Sequence, residues 1–187
     1  MLMKTVHLET ANPAVELVEP DIKRDAALGV AWLDGELGHS TLTLMGVADK
    51  DNKPTSLEAE QERVKGFIER PDQLNWMIQY DGKVVGSVWV DLFKSDKLPA
   101  PSVHIMIGDP KIRGKGVGYS TISAVLEYLA AQGNKTVYSR HLTTNEGAKS
   151  LFESLGFSSL GDPYSASNEL EWQNVSKALR LVSAKTT

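Results

Sequence analysis

Six consecutive residues, Arg113-Gly114-Lys115-Gly116-Val117-Gly118, carry the clearest chemistry in the chain. They follow a run of strand character and precede a helical pattern. Three glycines in five positions let backbone amides approach a ligand with no side chain in the way, and the start of a helix favours negative charge. Arg113 and Lys115 add positive charge, so the segment reads as a phosphate-binding turn. The dinucleotide fingerprint G-x-G-x-x-G fails here: started at Gly114 it needs a glycine where Tyr119 stands, and started at Gly116 it meets Thr121. The P-loop fails too, because no Gly-Lys followed by Ser or Thr comes after four spacer residues. A tight turn that uses glycine for geometry alone is the plain alternative.

The elements that must position this turn follow from apolar spacing. Val15 to Glu19 alternates like a half-buried strand and ends at Pro20. Asp21 caps a helix whose inner face carries Ile22, Ala26, Val30 and Leu33 and which closes near Gly35. Residues 35 to 53 form a long connection expected to fold over something. Thr55 and Glu58 form a capping box for a helix with Leu57, Val64, Phe67 and Ile68 on one face, ending before Pro71. Asn75 to Tyr80 and Lys83 to Phe93 make a hairpin through Asp81-Gly82. Ser102 to Ile107, a helix over Gly118 to Gln132 with Ile122, Val125, Leu126 and Leu129 inward, and Lys135 to Leu142 make a strand, helix, strand crossover, hence a parallel pair. A helix from Asn145 to Leu155 stops at Gly156, and strands near Phe157 to Leu160 and Glu169 to Ser176 close the chain.

The composition narrows the function. A chain of 187 residues that is 41% hydrophobic and 24% charged fits one folded domain, placed at 14 to 178 between a loose leader, 1 to 13, and a frayed tail, 179 to 187. A net charge of -4 argues against a general nucleic-acid binder. The absence of cysteine removes disulfides, thiolate metal ligands and thiol nucleophiles. The histidines and carboxylates lack recognised metal spacing, so no metal is expected. With no signal peptide and no apolar run of about 18 residues, a cytoplasmic protein away from membranes is expected.

The chain resembles the GNAT superfamily of acetyl-coenzyme A dependent N-acetyltransferases. The Arg113 to Gly118 loop matches that family's Q/R-x-x-G-x-G/A pyrophosphate loop, with Asp109-Pro110 after the preceding strand. Downstream, Asn145, Ala148, Phe152 and Gly156-Phe157 match its asparagine, small residue, aromatic and Gly-Phe spacing. The resemblance covers Val103 to Leu160. It implies an α/β (α+β) fold, a mixed and mostly antiparallel sheet of about seven strands with a splayed parallel pair and about four helices.

The resemblance also implies acetyl-CoA as cofactor. Its pyrophosphate would sit on Arg113, Gly114, Lys115, Gly116, Val117, Gly118 and Tyr119, and its pantetheine arm between the splayed strands. There the backbone of Met106, Ile107 and Gly108 would bond the amides and polarise the thioester. Asn145 and Phe152 would line the cofactor side, although Asn145 equally reads as a helix cap and Phe152 as part of its helix's apolar stripe. The acceptor would be a primary amine of a small molecule or a peptide, attacking directly; an acyl-CoA-binding module with little catalysis is the alternative, and a homodimer is possible.

An amine attacks only when neutral, and its pKa of about 10.4 calls for a base or a water chain. His104 is the candidate, in the strand where many relatives carry glutamate, with Val103 the competing alignment. Phe152 occupies the place of the family's usual proton-donating tyrosine, leaving water, Tyr138, Ser150 or Tyr164 to protonate the thiolate. His141 and Arg140 face the cleft or solvent. His39, Asp34 and Glu36 lie in the connection expected over the acceptor, where acidic residues would suit a cationic amine. Trp32, Trp76 and Trp89 read as core rather than a substrate cage.

Overall fold

A computed structural model of the chain describes residues 6–48, 51, 53–166 and 169–180. Its framework is a mixed sheet in the order β1-β2-β3-β4-β5-β6-β9-β7, with β8 pairing on β9. The strands are β1 (Leu8–Glu9), β2 (Val15–Val18), β3 (Gln73–Tyr80), β4 (Lys83–Asp91), β5 (Ser102–Ile107), β6 (Thr136–Leu142), β7 (Ser158–Ser159), β8 (Tyr164–Ser165) and β9 (Glu171–Ala178). The helices are α1 (Ile22–Leu33), α2 (Gly35–Leu44), α3 (Leu57–Glu69), α4 (Val117–Ala131) and α5 (Glu146–Ser154). Every neighbouring pair is antiparallel except β5 with β6. That pair meets only at Ser102 and Tyr138, so the strands diverge beyond it.

The β3–β4 hairpin turns on Asp81 at φ 47° and Gly82 at φ 75°, the pair of positive angles that a primed turn requires. Asp21 caps α1 by accepting from the Arg24 amide at 2.7 Å, and Asn145 caps α5 by accepting from the Ala148 amide at 3.0 Å. The main core packs the inner stripe of α4, Ile122, Val125, Leu126 and Leu129, against Leu17, Trp76, Val88 and Val103 of the sheet. On the opposite face a smaller cluster joins Trp32 of α1 to Met77 and Met106. Of the tryptophans expected inside, Trp32 and Trp76 are buried, and Trp89 is partly buried beside the smaller cluster.

Four expectations are corrected. Residues 35 to 44 are a helix rather than part of a long loop, because Asp34 ends α1 and its carboxylate takes the Gly35 amide to start α2. The cap of α3 is Ser56, which accepts from the Ala59 amide, whereas Thr55 donates to Glu60 Oε1. Leu57 and Ile68, assigned to that helix's inner face, are exposed while Val64 is buried. The sheet has nine strands rather than seven: β8 is an addition, and β1 falls in the expected leader, where Trp76 Nε1 also donates to the Val6 carbonyl at 2.8 Å. Most of the expected C-terminal tail lies outside the described residues.

Candidate active site

Gly116 is the N-cap of α4, at φ 79°, and no side chain caps the helix. The Ser120 amide returns to the Gly116 carbonyl at 3.0 Å, and the earlier amides of the first turn point out of the helix end. A Cβ built on Gly114 or Gly116 would meet nothing within 4 Å, so the space before the turn is open to a ligand. Gly118 serves packing instead: a Cβ there would stand 3.3 Å from Leu151 of α5. Val117 anchors the turn by burying its side chain in the main core.

This helix end opens into a cavity of about 470 Å³. Met106, Ile107, Arg113, Gly114, Gly116, Gly118, Tyr119 and Asn145, all singled out from sequence, line it. Lys115, Val117, Gly108 and Phe152 do not. Phe152 belongs to the main core, with its ring 5.1 Å from Phe157 and 6.4 Å from His141. The apolar-stripe reading of Phe152 fits this position.

Arg113 is not a free cation. Its guanidinium donates to the Ile107 carbonyl through Nε at 3.2 Å and Nη2 at 2.9 Å, and to Thr41 Oγ1 at 2.8 Å. It ties the end of β5 to the loop and to α2. Asn145 makes a matching tie on the other wall, donating from Nδ2 to the Leu44 carbonyl at 3.2 Å. The C-terminal half of helix α2 thus lines the cavity and is tied to both of its walls, through Thr41 and Leu44. Sequence reading missed it because Gly, Ser and Thr, weak helix formers, make up five of its ten residues.

The edge of β5 has a definite polarity. Gly108 donates its amide to the Val85 carbonyl at 2.9 Å, so it is committed to β4. Hydrogen bonding alternates along an antiparallel pair, which turns the backbone of Met106 and His104 toward β4 and that of Ile107, Ile105 and Val103 toward β6. Two observations agree: Arg113 reaches the Ile107 carbonyl, and Ser139 Oγ donates to the Val103 carbonyl at 2.7 Å. The amides aimed into the splay are those of Ile105 and Ile107, the second of which lies in the expected span Met106 to Gly108.

Side chains alternate as well. Ile105 and Ile107 pack toward α4, while Ser102, His104 and Met106 face the side of Trp32 and Trp89. His104 stacks on Trp89, with ring centroids 5.4 Å apart, and its Nε2 lies 3.2 Å from both Asp91 Oδ2 and Ser102 Oγ. Burial pushes the Asp91 carboxyl up, but hydrogen bonds from His104 and Gln73, with the charges of His104 and Arg70, together hold it below its ordinary value. Pairing His104 with Asp91 needed the β4–β5 register, in which Asp91 stands opposite Ser102. Of the acids expected to meet a cationic amine, Asp34 caps α2 and Glu36 is exposed in its first turn.

A model of the acetyltransferase (GNAT) family matches residues 43–157. An uncharacterised protein of Methanocaldococcus jannaschii is 33% identical over 101 residues, 52% of this chain and 20% of that protein. An uncharacterised N-acetyltransferase of the same organism is 28% identical over 96 residues, 50% of this chain and 42% of that protein. The matched segments thus span less than half the length of these curated relatives. Among solved structures, RimL, a ribosomal L7/L12 α-N-protein acetyltransferase in complex with coenzyme A, aligns with a TM-score of 0.74 at 14% identity over 93% of this chain and 98% of that one. The microcin C7 self-immunity acetyltransferase MccE, in complex with acetyl-CoA and AMP, aligns with a TM-score of 0.73 at 15% identity over 90% and 94%. Mycobacterium smegmatis RimJ, in complex with a CoA disulfide, gives 0.74 at 15% over 92% and 87%. At these identities the likeness is one of fold.

Proposed function

The chain belongs to the GNAT acetyltransferase family, and from that footing we propose that it transfers the acetyl group of acetyl-CoA to a primary amine, of a small molecule or a protein N-terminus, by direct attack. The observation that carries the reading is the uncapped amino end of α4 opening into the same cavity as the β5 edge. The amides of Val117, Gly118 and Tyr119 hold the pyrophosphate, with Lys115 beside them. The amides of Ile105 and Ile107 receive the pantetheine arm and stabilise negative charge on the reacting carbonyl oxygen. Acetyl-CoA supplies an activated acyl thioester.

The acceptor comes from the face that carries His104. Asp91 stays ionised and accepts the Nε2 proton of His104, leaving Nδ1 to take a proton from the acceptor's ammonium, which then attacks as the neutral amine. The neutral amine nitrogen bonds to the carbonyl carbon, the carbon–sulfur bond breaks, the nitrogen gives up its second proton to solvent, and the sulfur leaves as a thiolate. A thiol has a pKa of about 8.5, so solvent suffices as the proton source and the lack of a hydroxyl at Phe152 is tolerated.

Calorimetric titration with acetyl-CoA, followed by thiol release over a panel of amines, tests the reading. Saturable binding and acceptor-dependent thiol release are expected, and absence of acetyl-CoA binding would end it. The buried position of Phe152 favours a second reading, an acyl-CoA-binding module with little catalysis. Tight binding with no amine turned over would select that one.

A further inference from the structure

Across the splay from His104, on the same face of the sheet, stands a cation that the chemistry above does not use. Ser102 pairs with Tyr138 across β5 and β6, so Arg140 stands level with His104 two residues on, its side chain on the same side. The guanidinium carbon of Arg140 lies 4.4 Å from the ring centroid of Trp172, whose indole is buried and whose far edge closes against Gly46 just beyond α2. A Cβ on Gly46 would fall 2.2 Å from that ring. Arg140 Nη1 reaches the Tyr164 hydroxyl at 3.4 Å, and Tyr164 donates in turn to Asn174 Oδ1 at 3.2 Å. A second cation, Lys97, stands 5.7 Å over the Tyr164 ring. Among the described residues no carboxylate lies within salt-bridge distance of Arg140 or Lys97.

A guanidinium carries five N–H donors in a fixed plane, and among the described residues only one of those of Arg140 has a hydrogen-bond partner. Trp172 lies against the guanidinium carbon and Tyr164 meets Nη1, which leaves the remaining donors available to a planar or tetrahedral oxyanion. The carboxylate of Asp91, on the same face, is engaged by His104 and Gln73.

We propose that Arg140, held against Trp172 and supported by Lys97, binds a carboxylate or phosphate carried by the acceptor, so that the preferred acceptor is an amine bearing an anion in the same molecule. This rests on the acetyl-transfer reading for what happens to the amine but not for the binding itself. It replaces the expectation of a cationic acceptor met by acidic residues.

The test uses matched pairs that differ only in the anion: β-alanine and β-alaninamide, γ-aminobutyrate and its amide, phosphoethanolamine and ethanolamine, and short peptides with Glu or Gln at the second position. Binding to the CoA-loaded full chain is read by calorimetry, independently of turnover, in wild type and in Arg140→Gln and Arg140→Lys. At least one anionic member is expected to bind about 10- to 100-fold more tightly than its neutral partner, a preference lost in Arg140→Gln and only partly restored by lysine. CoA affinity should be the same in all three proteins. The peptide, carboxylate and phosphate arms identify the source of the anion. Equal binding of every pair, or a preference that survives Arg140→Gln, overturns the proposal whether or not acetyl transfer is observed. Failure of acetyl-CoA to bind or of any amine to react bears on the acetyl-transfer reading instead.

Discussion

At the scale of single residues, Gly116 and Asp91 give the sharpest tests. Gly116 sits at φ 79° with open space before it, so a side chain there brings backbone strain as well as whatever charge it carries. Asn and Asp both tolerate the left-handed region, which makes them a matched pair. Gly116→Asp should weaken CoA binding at least 10-fold more than Gly116→Asn by calorimetry, because only aspartate sets a carboxylate against the pyrophosphate. Equal losses would mean that the turn does not hold the anion. Asp91 makes a prediction about pH. Its folded pKa lies below the ordinary 3.8, so its contribution to stability is present above that value and is lost as pH falls through the folded value. Urea midpoints measured from pH 5 down to pH 2 should fall more steeply in wild type than in Asp91→Asn. His104→Ala should lower turnover on the order of 100-fold near and below pH 7, with a smaller loss at high pH where the amine is already neutral, and leave acetyl-CoA affinity unchanged.

At the scale of elements, α2 decides how the site is closed. It is short, poor in helix formers, and fixed by Arg113 to Thr41 at one wall and Asn145 to Leu44 at the other. Thr41→Val removes the first tie without changing the size of the side chain and leaves one donor of Arg113 without that partner. The hydroxyl's bond to the Leu37 carbonyl goes with it, and hydrogen exchange in α2 should rise by at least about 5-fold, the equivalent of about 1 kcal/mol, while exchange in α4 stays as it was. The loop Arg113 to Gly118, by contrast, rests on Val117 in the core and on the close approach of Gly118 to Leu151, so the same change should not reach it.

At the scale of the molecule, the sheet has a thick side and a thin one. Leu129 is 1% exposed in the main core under α4, whereas Leu28 of α1 is only partly buried beside the smaller cluster. Leu129→Ala should cost about 2–5 kcal/mol in urea unfolding, and Leu28→Ala distinctly less. The glycine turn, the inner stripe of α4, the Asp81-Gly82 hairpin and the cap at Asn145 were legible in the sequence, because each is set by residues within a few positions of one another. Thr55 in place of Ser56, and the missing α2, show the limit even there: neighbouring hydroxyls compete for one cap, and a weak helix needs its tertiary ties to persist. What the chain's order could not settle was partnership. Asp91 beside His104, Arg140 on Trp172, Phe152 turned into the core and Ile105 with Ile107 aimed at the splay all depend on strand register and on which face a helix covers. Periodicity determines which residues share a face of one element, but contacts between elements distant in sequence are chosen by packing of the whole fold, and there the acceptor side of the site was decided.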